Sequence, residues 1–296
     1  MAPFPSLPHL TPQQSLTILQ LTSIFENSTK ELQYDYCENI GDGRGYTSYF
    51  FGACTGTYDA TMVAEEYNRL KPNNPFSRKF LPILKAIDRK PHPDGKYSGT
   101  EGLEDYPSVI KEAVKDPTFI QAQINVANKL YGIPSQNLAQ NLGLTTPIAR
   151  GQLYDAFINH GESGVLDIAR RVSIKRINNI QDEKKFLDEF LKQRSIVLSR
   201  DATWSMSTDR VKVYQRLLDA NNTHLTCPFD VLCYGDHFTL INEASTPHIL
   251  PRYIKVPCFF PNKSHYEAVL NVEVDFWNDD IINVRVIDTL ITVINT

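Results

Sequence analysis

Two carboxylates sit where acid–base chemistry would need them. Glu26 falls in the last turn of a helical pattern that carries Leu16, Ile18, Leu19, Leu21 and Phe25. A helix C-terminus has partial negative charge and apolar neighbours desolvate a carboxylate, so both disfavour ionisation and would hold a proton ready for donation. The competing reading is an ordinary solvated glutamate, the commoner fate of this residue type. Asp42 lies in Ile40-Gly41-Asp42-Gly43-Arg44-Gly45-Tyr46-Thr47. The flanking glycines leave its side chain room to face a cleft as a general base. A plain turn, with Asp42 bonding its own backbone, would use the same residues. A phosphate-binding glycine loop fits poorly, because no strand-to-helix transition or later acidic ribose partner frames these glycines.

Three further charges fall on helical faces that are otherwise apolar. Arg194 follows Phe186, Leu187, Phe190 and Leu191 at helical spacing, Asp155 shares a helix with Ile148, Leu153, Ala156 and Phe157, and Arg210 opens a helix carrying Val211, Tyr214 and Leu218. An unpaired buried charge costs several kcal/mol, so the pattern predicts an Asp155–Arg194–Arg210 network. The alternative is that each side chain reaches water separately.

The elements that must position these groups are mainly helical. Thr11-Pro12-Gln13-Gln14 combines a side-chain cap with proline at the first helical position and predicts a helix from 11 to about Glu26. Helical spacing returns at about 59–70, 78–88, 108–116, 118–131, 134–142, 146–160, 164–173, 182–199 and 208–220. Between Tyr34 and Cys54, aromatic and β-branched residues punctuated by Gly41, Gly43, Gly45 and Gly52 predict short strands and tight turns. Near the C-terminus, Val272, Val274 and Phe276 alternate with polar residues, as do Ile282, Val284 and Val286, and Asn278-Asp279-Asp280 separates the two runs. Period two with an intervening turn predicts a hairpin. The domain reading is therefore 1–242 for the helical body, with its small sheet, and 243–296 for a β-rich extension.

The hydrophobic share of 42% and charged share of 22% are those of a globular protein, and no apolar run reaches the roughly 20 residues of a membrane span. A net charge of −4 argues against nucleic acid and permits a cationic partner. The start, MAPFPSLPHL, lacks the basic and apolar regions of a signal peptide. Cys37, Cys54, Cys227, Cys233 and Cys258 form no C-x-x-C pair, so neither a zinc site nor a dense disulfide framework is expected. Glycosylation sequons stand at Asn27, Asn221 and Asn262.

Five segments, FENS (25–28), YDYCENIGDGRGYT (34–47), GACTGTYD (52–59), YDAFINHG (154–161) and CYGDHFTLI (233–241), occur in this order along the chain. Together they resemble the glycoside hydrolase family 46 chitosanases over roughly residues 14–242. The resemblance implies a mainly α (α+β), two-lobed, lysozyme-like fold with a cleft between the lobes. It implies inverting endo-hydrolysis of chitosan with Glu26 as general acid, Asp42 as general base and Thr47 helping to hold the attacking water. The carboxyl groups should then stand at least about 6.5–9.5 Å apart to leave room for that water.

Asp155, Arg194 and Arg210 match the family's salt-bridge relay, which the resemblance implies behind the base. Ser28, Tyr36, Glu38, Arg44, Thr57, Asp59 and Asp236 match substrate-binding positions, with Asp59 resembling the carboxylate that holds a glucosamine ammonium. A helix-start acid is the other reading of Asp59, since it precedes an amphipathic helix. Two positions depart from the family pattern. Asn39 stands where many relatives have Asp, and Trp204-Ser205-Met206-Ser207 replaces a His-Asp-Asp stretch, both touching the outer subsites. No metal or organic cofactor, no nucleic acid and no membrane partner is implied; a monomer and an extracellular setting are. A hydrolase of chitin or peptidoglycan and an inactive glycan-binding homologue are the alternatives.

Overall fold

A computed structural model describes residues 6–89, 99–200 and 205–241 in full, and the backbone of strands 250–259, 265–277 and 280–293. The chain divides into two compact units, 1–241 and 242–296.

Helix α1 (Pro12–Asn27) begins as its sequence dictates. Thr11 Oγ1 accepts from the Gln14 N–H at 3.2 Å, while the Gln14 side chain accepts from the Thr11 N–H at 3.0 Å. Ile18, Leu21 and Ile24 are fully buried, and the helix stops at Ser28, whose φ of 50° is left-handed. Strands β1 (Cys37–Glu38), β2 (Thr47–Ser48) and β3 (Ala53–Cys54) make a small antiparallel sheet in the order β1-β2-β3.

Helices α2 (Asp59–Leu70), α3 (Pro75–Asp88), α4 (Tyr106–Ala113) and α5 (Pro117–Ala127) close over this sheet through an aromatic cluster. Phe76 and Phe119 rings lie 4.7 Å apart, Phe80 and Tyr106 4.9 Å, and Tyr49 meets Phe119 edge-on at 5.9 Å. Such pairs add about 0.5–1.5 kcal/mol each beyond burial. The Tyr49 and Tyr106 hydroxyls satisfy one another at 2.6 Å inside the cluster.

The helix expected over 118–131 ends at Ala127 and passes through a wide turn, Asn128–Gly132, into α6 (Ile133–Leu142). The helices expected at 146–160 and 164–173 are two stretches of α7 (Pro147–Arg171), divided where Gly161 takes φ 66° and ψ 169°. Helix α8 (Ile180–Leu198), capped by Asn179, and helix α9 (Thr208–Asp219) pack against α7 around Leu153, Phe157, Phe186, Phe190, Val211 and Tyr214. Trp204 lies outside the described residues, and Ser205–Ser207 form a short 3₁₀ turn.

Strands β4 (Phe229–Cys233) and β5 (Asp236–Leu240) form a hairpin that sequence periodicity did not reveal. In the second unit, β6 (Leu250–Phe259), β7 (His265–Trp277) and β8 (Asp280–Val293) form an antiparallel sheet. The expected hairpin is β7–β8, with Val272 opposite Val286 and Val274 opposite Val284; β6 is an additional strand. Cys37, Cys54, Cys227 and Cys233 are free thiols, whereas the side chain of Cys258 lies outside the described residues. Among the described residues no helix is long and apolar enough to cross a membrane.

Candidate active site

Glu26 projects from the last turn of α1 with its side chain one-third exposed. Its environment is less apolar than the sequence implies, because Arg210 Nη2 donates to Glu26 Oε1 at 2.5 Å. Arg210 itself is buried and its guanidinium lies 5.4 Å from the centre of the Phe25 ring, an arrangement that favours a cation over an aromatic face. The residue beside the carboxylate therefore seats the cation that grips it.

Behind Arg210 the expected network is present. Asp155 is completely buried, with Arg210 Nε 3.6 Å from its Oδ1 and Arg194 Nη2 2.8 Å from its Oδ2. Arg194 is also wholly buried and adds contacts to Asn159 Oδ1 at 3.4 Å and His160 Nε2 at 3.2 Å. The ion pairs run from Arg194 through Asp155 and Arg210 to Glu26. The resemblance implies a relay behind Asp42, but these contacts lead to the other carboxylate.

Asp42 sits on the glycine-rich loop between β1 and β2. Gly41, Gly43 and Gly45 take φ of 75°, 82° and 85°, values that suit glycine. Gly45 has a second constraint, because a Cβ there would collide with Thr55 Oγ1 and stand 2.9 Å from the Gly99 carbonyl oxygen. Asp42 Oδ1 accepts the Arg44 N–H at 2.9 Å, and Oδ2 accepts Arg44 Nε at 2.7 Å and lies 2.6 Å from Nη2. The turn bond and the exposed carboxylate thus coexist, since the Asp42 side chain retains 28% of its accessible surface. Thr47, at the start of β2, is half-buried with its Oγ1 3.6 Å from Cys54 Sγ.

Asp59 ties the end of the small sheet to the start of α2. Its Oδ1 accepts the Cys54 N–H at 3.1 Å and the Thr57 hydroxyl at 2.5 Å. Burial pushes its carboxyl up, against the lowering effect of these hydrogen bonds. Tyr36, just before β1, donates to the exposed Glu38 Oε2 at 3.3 Å. Ser28 caps α1, and Asp236 is exposed at the start of β5.

Tyr131, half-buried with its ring 6.2 Å from that of Phe51, is a residue that nothing in the sequence singled out. Burial raises its phenol, and the negative charges of Asp59 and Glu26 raise it further while Arg44 opposes. One half-buried ring thus feels the helix-end carboxylate, the helix-start carboxylate and the partner of Asp42. Tyr234, at the β4–β5 turn, behaves similarly: burial raises it first, Arg210 lowers it, and Glu26 and Asp155 raise it. The signal for both was weak, because Tyr131 only closes the helical stretch expected over 118–131 and Tyr234 is one residue of CYGDHFTLI, and neither position points by itself to the acid or the base.

Known proteins resemble this chain in sequence and in fold. The model of glycosyl hydrolase family 46 matches residues 20–229. The chain belongs to that family. A chitosanase of Bacillus subtilis (strain 168) is 37% identical over 226 residues, covering 72% of this chain and 79% of the relative. A chitosanase of Streptomyces sp. (strain N174) is 32% identical over 240 residues, covering 77% and 82%. The structure superposes on the native chitosanase of Bacillus subtilis MY002 with a TM-score of 0.69 at 34% identity, covering 78% of this chain and 99% of that one. The family 46 chitosanase of Gynuella sunshinyii in complex with chitotetraose gives 0.68 at 37% identity, covering 78% and 98%. The fold of the helical unit is therefore the lysozyme-like fold of family 46, a mainly α body with a small sheet.

Proposed function

We propose that this family 46 hydrolase is an endo-acting, inverting chitosanase, working as a monomer outside the cell on a cationic polysaccharide. The observation that carries the reading is a part-exposed Glu26 carboxylate at the end of α1, held by the buried Arg210 that pairs with Asp155, in a chain whose relatives are named chitosanases. Glu26 gives its proton to the leaving glycosidic oxygen. Asp42, with Thr47, orients a water on the opposite face of the sugar and takes its proton as the new bond to the anomeric carbon forms. One bond is made and one broken in a single displacement, so configuration inverts.

Arg210 has a part in this scheme. Its bond to Oε1 leaves Oε2 to carry the transferable proton. As that proton departs, negative charge grows on Glu26 beside a fixed guanidinium, an interaction stronger after transfer than before. Asp59, Glu38 and Asp236 supply carboxylates that free ammonium groups can pair with and acetylated sugars cannot. The test is to offer glucosamine oligomers and fully acetylated chitin oligomers, following product size and product anomer by NMR. Initial α-anomer from the β-linked glucosamine substrate is expected. Preferential cleavage of the acetylated oligomers, or initial β-anomer, would overturn the reading.

A further inference from the structure

We infer that His160 is a positioning residue for the proposed acid, accepting a hydrogen bond from Arg194 and so fixing the guanidinium that holds Asp155. This rests on the reading of Glu26 as general acid. Arg194 contributes three contacts from one buried head group: Nη2 to Asp155 Oδ2 at 2.8 Å, Nη2 to Asn159 Oδ1 at 3.4 Å, and Nε to His160 Nε2 at 3.2 Å. A guanidinium bound at one nitrogen can swing about its stem. Engagement of Nε as well defines its plane. The chain then reads His160, Arg194, Asp155, Arg210, Glu26, from the middle of α7 to the end of α1.

Arginine only donates, so the bond requires a lone pair on His160 Nε2 and a proton on Nδ1. The surroundings enforce that state. Facing His160 are Arg194 from α8, Arg210 from α9 and Asp155 from its own helix. Burial and the two cations push its protonation down to about 3, with Asp155 opposing. A second proton would set donor against donor at 3.2 Å. Gly161, where α7 is interrupted, follows His160 directly. Asp155 and Asn159, four residues apart, share the helix face that meets Arg194.

The experiment has two arms, both on the full chain. Nitrogen-15 NMR of the wild-type imidazole should show unprotonated Nε2 and protonated Nδ1, with no titration between pH 8 and about 5, because the depressed value lies below that window. A proton on Nε2, or a midpoint in that range, would overturn the inference. In the second arm, His160→Leu should cut kcat on glucosamine oligomers at least about tenfold with little change in KM, as a loss of positioning predicts. His160→Gln, whose carbonyl oxygen can accept from Arg194, should restore most of the loss. Equal loss in both variants, or unchanged kcat with only a lower melting temperature, would refute positioning. Should His160→Leu not fold, the tautomer and the His160→Gln rate still decide. Activity in Glu26→Gln would remove the acid reading and leave the tautomer unaffected, so the two failures are distinguishable.

Discussion

In the proposed reaction Glu26 must alternate between acid and carboxylate, and Asp42 must accept a proton from water. An amide keeps the shape of either side chain and cannot perform its transfer. Glu26→Gln and Asp42→Asn should each fold and lose turnover by at least about a hundredfold, the usual scale for removing acid–base catalysis. Near-wild-type turnover in either folded variant would remove that residue from the mechanism. Asp59 poses a different question because it already serves the fold, accepting from Cys54 and Thr57. Asn would retain the accepting oxygen and lose only the charge. Since burial already disfavours that charge, Asp59→Asn should leave the melting temperature nearly unchanged while raising KM for glucosamine oligomers several-fold. Unchanged KM with a lower melting temperature would confine Asp59 to the start of α2.

At the scale of elements, the relay is where sequence and structure can be compared most sharply. Helical periodicity alone put Arg194, Asp155 and Arg210 on apolar faces, and all three are buried. It could not say which carboxylate they serve, because the deciding contact joins residues 184 apart in sequence. His160 escaped for the same reason: its partner is on another helix. The β4–β5 hairpin escaped because Leu232 stands at an outward-facing position of the five-residue β4, where alternation calls for a polar residue, so the sequence pattern Val231-Leu232-Cys233 reads as a short apolar run and not as period two. The long, well-capped helices were legible because caps and periodicity agree locally. A buried network also makes a specific energetic demand. Removing one member strands its partners at a cost of about 3–5 kcal/mol, so Arg194→Ala should lower both stability and turnover. Adding Asp155→Ala should cost less than the sum of the single changes, since the second change deletes a charge already stranded. Thermal unfolding of the two single variants and the double variant measures this; strictly additive losses would show that the three charges act independently.

At the scale of the molecule, every proposed site residue belongs to the unit formed by residues 1–241. That unit has its own aromatic and aliphatic core, and its length is well above what an independent domain needs. The family match ends at 229, and the superposed relatives are covered almost entirely by 78% of this chain. The described strands after residue 241 pair with one another, β6 on β7 and β7 on β8. A chain ended after Ile241 should therefore fold cooperatively and cleave short glucosamine oligomers at the rate of the full chain. Polymeric chitosan is the informative contrast, because a second unit that holds substrate would raise local concentration only for chains long enough to reach it. Equal rates on oligomers with slower cleavage of polymer would give residues 242–296 a binding role. Failure to fold, or loss of turnover on the shortest cleavable oligomer, would show that the catalytic unit extends past Ile241.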